Sequence, residues 1–331
     1  MKLLILGGTV FLGRHWAEVA VKAGHQVTLF NRGRTNPGLF PELETLVGDR
    51  TGDLGALKGR RWDAVIDTSG YTPAAVGRSA STLSGASLHY TFISTLSVYA
   101  DTSQPGLDEG SPVAQLPPNA GNEVNGETYG PLKALSEQAA QSHFEGSVLI
   151  LRPGLIVGPH DPTERFSYWP RRLARQGEVL APGDPGRCVQ LIDVRDLVEW
   201  NLGLVEAGAT GVYNVTGPER PLMMEAFLTE CAQAVDSQPD FSWLPEDFLL
   251  EAGVAPFTGL PLWLPQAING LLEVNIDKAL GAGLACRPLK VTAAETHAWD
   301  QARGGPLHRG PGIDPARELA LLQAWHAQQA A

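Results

Sequence analysis

Short apolar runs alternate with helical stretches through the first half of this chain, and that alternation leaves few folds open. The runs cover residues 3–6, 26–30, 64–66, 90–93 and 148–151. Between the first two lies 11–23, helical in pattern and closed by Gly24, which suits a helix C-cap. Continuously apolar strands are buried on both faces, so strand–helix–strand repetition predicts a doubly wound parallel sheet of the α/β class. The 331 residues suffice for it: folding takes roughly 51,000 Å² of accessible surface down to about 13,000 Å².

After Pro153 the texture changes. Gly154, Gly158, Pro159, Pro162, Pro170, Pro182, Gly183, Pro185 and Gly186 mark a loop-rich stretch. Residues 196–206 and 222–235 then read as helices and 211–215 as a strand. Residues 303–315 read as a Gly/Pro linker, and 316–329 as a closing helix docked by Leu319, Leu321, Leu322 and Trp325. The expected division is a nucleotide half over 1–153, with segments near 186–205 returning to it. A smaller C-terminal lobe and the last helix occupy 154–331. Within the lobe, 243–264 is too apolar for a bare loop and too broken by proline for a helix. It reads as a cap with Trp243 or Trp263 against the site, or as aromatics that pin the lobe to the sheet.

The 25 basic and 36 acidic side chains leave a net charge of −11, which argues against nucleic acid as the main partner. Cys188, Cys231 and Cys286 are widely separated and form no C-x-x-C, the pattern of reduced thiols in the cytoplasm. No apolar run approaches the roughly 20 residues of a membrane span. Six apolar or basic residues precede Gly7, which suits a buried first strand better than a secretory leader. The eight histidines show no metal-ligand spacing, so no metal is expected. His160-Asp161 reads as a loop-surface pair or a substrate contact. Tyr168-Trp169-Pro170-Arg171-Arg172 reads as a substrate wall or a helix start packed in the core.

The turn after the first strand carries the strongest chemical signal. Gly7-Gly8-Thr9-Val10-Phe11-Leu12-Gly13 follows a strand and opens a helix. Backbone N–H groups and the helix N-terminus then face one point, which suits a pyrophosphate. Gly7, Gly8, Thr9, Phe11, Leu12 and Gly13 are the expected cofactor contacts. The second strand ends Phe30-Asn31-Arg32-Gly33-Arg34, with no carboxylate for a ribose 2′-OH. A guanidinium there suits a 2′-phosphate, and residues 1–34 hold five basic groups against the single acid Glu18. Asn31 and Arg32 therefore point to NADP(H) over NAD(H), which stays open. Asp49 is placed against the adenine amino group, or in a surface turn.

Tyr129-Gly130-Pro131-Leu132-Lys133 is a Tyr-x-x-x-Lys, whose spacing puts both side chains on one helix face. Pro131 fits only the first turn, so Tyr129 sits at the helix N-terminus. The helix dipole and the Lys133 ammonium are both expected to lower the phenol pKa. Thr95 lies in Phe92-Ile93-Ser94-Thr95-Leu96-Ser97-Val98-Tyr99, at the C-terminal end of a buried strand, where doubly wound sheets bind ligands.

On these residues the sequence resembles the extended or atypical short-chain dehydrogenase/reductases, the NAD-dependent epimerase/dehydratase group. The resemblance runs on through Leu151-Arg152-Pro153-Gly154-Leu155-Ile156-Val157-Gly158-Pro159, Asp193-Val194-Arg195-Asp196 and Tyr213-Asn214-Val215. The loop pattern is similar to that of the atypical branch containing the chloroplast stem-loop-binding proteins. The resemblance implies a Rossmann-type sheet, with a smaller C-terminal substrate lobe. It also implies Thr95 as the catalytic hydroxyl, Tyr129 as acid/base and Lys133 as its partner and ribose ligand. Ser69, Gly70 and Pro153, after the third and fifth apolar runs, complete the expected cofactor set. Three departures qualify it. Val10 stands at the usual middle glycine. Leu96-Ser97 replaces the Asp-Glu of sugar 4,6-dehydratases, which speaks against dehydration. Val189 stands where nucleotide-sugar members carry a diphosphate-binding arginine, with Arg187 two residues away as a substitute.

The expected function is NADPH-dependent hydride transfer at a hydroxyl or carbonyl carbon of a sugar-like or other small substrate. Two alternatives stay open: an epimerase that retains its cofactor, and a dinucleotide-binding or RNA-associated protein without turnover. Whether the chain forms a homodimer is also open.

Overall fold

The structure is a computed structural model that describes residues 1–306 and 310–330; residues 307–309 of the expected linker, and position 331, lie outside the described residues. Its centre is strand β1 (Lys2–Leu6), which pairs in parallel with β2 (Gln26–Asn31) on one side and β4 (Ala64–Asp67) on the other. Beyond β2 lies β3 (Glu44–Val47). Beyond β4 lie β5 (His89–Ile93), β6 (Ser147–Pro153) and β10 (Gly211–Val215). The result is one seven-stranded parallel sheet in the order β10-β6-β5-β4-β1-β2-β3.

Alternation along each strand feeds two separate cores. Leu3 and Ile5 face helices α1 (Phe11–Lys22) and α5 (Val194–Glu206), against Trp16, Ala20, Leu197 and Leu202. Leu4 and Leu6 face α2 (Pro73–Leu83) and α3 (Tyr129–His143), against Val76, Leu83, Ala139 and Ala140. Both faces are covered, which is why the strands read as unbroken apolar runs. Helix α1 ends at Lys22, and Gly24 follows at φ +83, the left-handed turn that a Cβ would disfavour.

The lobe has its own core. Strands β7 (Leu155–Val157), β9 (Cys188–Asp193) and β11 (Gly217–Met223) form a small sheet in the order β11-β9-β7, and β8 (Glu178–Pro182) pairs with β12 (Asp240–Leu244). Around them pack α4 (Tyr168–Leu173), α6 (Met224–Ala234), α7 (Glu246–Glu251), α9 (Leu289–Ala302) and α10 (Pro315–Gln329). Phe166, Trp169, Phe227 and Trp263 are fully buried at their centre. Between α7 and α9, the short α8 (Asp277–Gly281) returns to the central sheet, with Ala279 in the core beneath α1 and α5.

One open choice is resolved here and one expectation corrected. Residues 168–172 are the helix start packed in the core, the second of the two readings, with Tyr168 and Trp169 buried and Arg171 and Arg172 paired with Asp300 and Glu318. In the closing helix Leu321 and Leu322 are buried and Trp325 meets Phe248 edge to face, but Leu319 is 55% exposed and docks nothing.

Truncating Ile5 to Ala should cost about 2–5 kcal/mol, since β1 is packed on both sides. The same change at Val47, 63% exposed on the edge strand β3, should stay within about 0.5 kcal/mol. Urea unfolding of the two variants measures the contrast.

Candidate active site

Chain connections leave β1 and β4 in opposite directions, and a cleft of about 760 Å³ opens at the C-terminal ends of these strands. The glycine loop forms its floor. Gly7 and Gly8 have φ of +120 and +100, open to glycine but rarely to other residues. A Cβ on Gly13 would lie 2.5 Å from the Gly8 backbone nitrogen, so helix α1 can approach the loop only without one. The helix begins after Val10 with no side-chain cap and no acidic residue in its first turn. Its N-terminal N–H groups and positive dipole end therefore meet the cleft without a competing carboxylate. Val10 departs from the family glycine at no strain, because its backbone is extended at φ −132.

At the far end of the cleft, Asn31 is locked in place. Its Oδ1 accepts from Gly33 N–H at 2.8 Å, and its Nδ2 donates to Gly7 O at 3.4 Å. Arg32 and Arg34 line the cleft, exposed and with no carboxylate within ion-pair distance among the described residues. Asp49 lies beside them. Bonds from Thr51, and then the charges of Arg32 and Arg34, hold its carboxyl below the usual range.

Under the point where β1 and β4 part lies a buried ion pair that sequence reasoning missed. Arg50 Nη1 and Nη2 donate to the two oxygens of Asp67 at 2.5 and 2.6 Å, and Tyr90 OH donates to Asp67 Oδ2 at 2.6 Å. Arg50 also reaches Ser69 and Ser79, and Ser69 N–H closes on Asp67 Oδ1. Burial alone would raise the Asp67 carboxyl, but the Arg50 charge and bonds, with that of Tyr90, hold it below the usual carboxylate range. Its one trace in the sequence is a carboxylate directly after the apolar run 64–66.

Tyr129 is the first residue of α3. A Cβ on Gly130 would collide with the Ser97 carbonyl oxygen, so the glycine lets α3 dock directly on the turn after β5. That contact brings the phenol to Thr95, whose Oγ1 accepts from Ser97 N–H at 3.2 Å and donates to Ser97 Oγ at 3.2 Å. Burial pushes the Tyr129 pKa above its ordinary value; a bond with Thr95 and the charge of Arg165 pull it back only in part. The expected lowering by Lys133 is not found. Lys133 Nζ is spent on the carbonyls of Gly70 at 2.7 Å and Ile93 at 2.5 Å, above the Phe92 ring, and burial lowers its own pKa to about 7.

Beneath Thr95 runs a second buried network. Ser94 Oγ donates to Glu137 at 2.5 Å, and Arg152 grips both oxygens of the same carboxylate. Arg152 also reaches Tyr99 OH, which donates to Asn214 on β10 at 2.5 Å. This network ties α3 to β5, β6 and β10, and so holds the Thr95–Tyr129 geometry from behind.

Gly7, Gly8, Thr9, Phe11, Leu12, Gly13, Asn31, Arg32, Asp49, Ser69, Thr95, Tyr129, Lys133 and Pro153 all line the one cleft. Gly70 does not: its carbonyl anchors Lys133, and a Cβ there would strike Val76 and Phe92 behind the wall. From the lobe come Asp161, Arg165, Phe257 and Leu264. Asp161, read as one of two alternatives from the sequence, is buried and accepts both Thr163 N–H and Oγ1; burial raises its pKa. His160 does not line the cleft and meets Trp299 edge-on. Neither Trp243 nor Trp263 lines the cleft, so the aromatics of 243–264 pin the lobe, with Phe257 the exception. Arg187 is no diphosphate ligand: it pairs with Glu246 at 2.5 Å and donates to Leu264 O at 2.8 Å.

Comparison with known proteins agrees with this geometry. Residues 75–216 match the model of the NAD dependent epimerase/dehydratase family. Chloroplast stem-loop binding protein of 41 kDa b from Arabidopsis thaliana is 26% identical over 253 residues, 70% of this chain and 63% of that protein. The dTDP-4-dehydro-6-deoxy-D-allose reductase of Streptomyces bikiniensis is 32% identical over 123 residues, 35% of this chain and 36% of that enzyme. The chain thus spans less than two thirds of either curated relative. Among solved structures, UDP-glucuronic acid 4-epimerase from Bacillus cereus, in complex with NAD, superposes with a TM-score of 0.67 at 15% identity, covering 92% of this chain and 99% of that one. The UDP-Glc/GlcNAc 4-epimerase from Campylobacter jejuni gives 0.67 at 16%, covering 91% and 99%. These likenesses show the Rossmann-type fold.

Replacing Asp67 with Asn leaves the Arg50 charge buried without its counter-charge and should cost about 3–5 kcal/mol. Because the folded-state pKa of Asp67 is depressed, its contribution is complete above the unfolded value near ~3.9 and is lost as pH falls below it. Acid titration followed by circular dichroism should therefore show a steep acid limb in the parent protein and a shallower one in Asp67→Asn.

Proposed function

We propose that the protein, whose residues 75–216 match the model of the NAD dependent epimerase/dehydratase family, is an NADP(H)-preferring oxidoreductase acting at a carbon that bears a hydroxyl or carbonyl. The observation that carries this reading is the meeting of two hydroxyls, Tyr129 and Thr95, in the same cleft as the glycine loop. The loop fits a dinucleotide: positive φ at Gly7 and Gly8, a Gly13 that leaves no room for a Cβ, and an uncapped helix end suit a pyrophosphate. A bound nicotinamide supplies or accepts the hydride.

The chain's own groups do the rest. Tyr129 OH moves the proton at the substrate oxygen, and Thr95 Oγ1, once its single O–H turns away from Ser97 Oγ, donates a hydrogen bond to that oxygen. Lys133 uses two of its three ammonium donors on Gly70 and Ile93, leaving a third for a ribose hydroxyl. Burial of the phenol keeps it protonated at neutral pH, which suits its role as the acid in carbonyl reduction. That, with the cationic Arg32–Arg34 rim and the reductant character of the NADPH pool, favours reduction over epimerisation. The nucleotide is assigned to 1–153 with α5 and β10, and the substrate to the lobe over 154–331. Three free cysteines support a cytoplasmic setting. An RNA-associated role has the 26% identity over 253 residues to the stem-loop binding protein behind it, against a net charge of −11.

Tyr129→Phe should keep NADPH binding and lose turnover by about 10²–10⁴, the worth of a positioned acid. A fully active Phe variant, on any substrate found, ends the proposal. Calorimetry should find NADPH bound more tightly than NADH, with Arg32→Ala narrowing the gap by about 1–3 kcal/mol. Equal affinities in the parent protein would remove the NADP assignment.

A further inference from the structure

Five cations line the cleft, and four are accounted for. Arg50 is bound to Asp67, Lys133 to two carbonyls, and Arg32 and Arg34 stand at the adenosine end. The fifth, Arg165, enters from the lobe beside Tyr129, close enough that its charge lowers the phenol pKa. It is braced on two sides. Its Nε donates to Thr163 Oγ1 at 3.1 Å, and its guanidinium lies 5.0 Å from the centre of the Phe257 ring. Thr163 is itself held by the buried Asp161. Phe257 is held at φ +62, a region costly to a residue with a Cβ, by its N–H bond to Trp263 O at 3.0 Å.

Among the described residues, both Nη groups of Arg165 lack a hydrogen-bond partner, and no carboxylate comes within 4.0 Å of them. Arg171, Arg172, Arg187 and Arg287 of the same lobe each carry one. A half-buried fork, fixed at the base and open at the tip, is the arrangement that grips a carboxylate or phosphate. The usual handle for a nucleotide diphosphate is missing at the same time: Val189 is apolar, and Arg187 is occupied by Glu246 and Leu264 O.

We infer that Arg165 is the receptor for a carboxylate or phosphate on a small hydroxy or oxo substrate, bound without a nucleotide diphosphate. The inference rests on the reading that the reacting oxygen lies on Tyr129 and Thr95; Arg165 then sets which carbinols reach them.

The test uses protein loaded with NADPH, so that the cofactor's own phosphate contacts are filled. Malonate, methyl phosphate and the neutral malonamide are titrated by calorimetry. One or both anions should bind and malonamide should not; the tighter anion identifies the substrate's group. Arg165→Gln should weaken that anion by about tenfold or more, the weight of a charge-assisted pair, and Arg165→Lys should restore part of it. NADPH affinity and the circular dichroism spectrum should stay unchanged in both variants. Anion binding that is unaltered in Arg165→Gln, or no better than malonamide in the parent, overturns the inference. So does UDP binding to the loaded protein that survives Arg165→Gln. Failure of NADPH itself to bind removes the dinucleotide reading instead, and the same titration in cofactor-free protein still decides Arg165.

Discussion

A carboxylate with no exposed surface lies where the connections of the sheet divide. Asp67 ends β4 beneath the floor of the cleft, and an unpaired charge there would be costly enough to unfold a marginal domain. Arg50, reaching across from the turn after β3, meets it with two parallel bonds, and Tyr90 and Ser69 fill its remaining positions. The pair fastens the loop after β3 to the strand ends on the other side of β1. The N-terminal half therefore presents one rim, on which the glycine loop, Asn31 and Ser69 keep fixed spacing. Four satisfied bonds in a region shielded from water make this a stiff joint, provided every member is present.

The lobe meets that rim through chemistry of a different kind. Its core is apolar and independent of both cores of the sheet. Its polar contributions to the cleft come from one loop, Asp161 to Arg165, with the Phe257 ring of a strained turn packed against the Arg165 guanidinium. The N-terminal half supplies backbone N–H groups, glycines and hydroxyls; the lobe supplies a charge. Such a split lets one half stay constant while the other selects what is held, as expected where function is grafted onto a widely used fold.

Much of this was legible in the sequence, and the limits have physical causes. The alternating apolar runs declare a parallel sheet because both faces are buried, and Gly7, Gly8 and Gly13 declare the loop because their geometry excludes side chains. Tyr129, Lys133 and Thr95 were legible as a group because helix spacing and strand ends are local properties. The Arg50–Asp67 pair was not, since a separation of 17 positions along the chain says nothing about which arginine returns to which acid. Arg165 was hidden for the same reason: its surroundings are assembled from 161–163 and Phe257, nearly a hundred residues apart. Trp263 misled because a large aromatic among prolines looks like a pocket wall, whereas at 0% exposure it serves as a core anchor. Lys133 misled in electrostatics alone. Spacing put it near the phenol, but two backbone carbonyls hold its charge elsewhere.

The contact between Gly130 and the Ser97 carbonyl has a consequence for how precisely the phenol is placed. Most catalytic side chains inherit the looseness of whatever side chains support them, each with rotamers to explore. Here the support is main chain against main chain, at a separation that no other amino acid permits. A main-chain contact has no rotamers of its own, so the freedom left to the phenol lies in the two torsions of its own side chain.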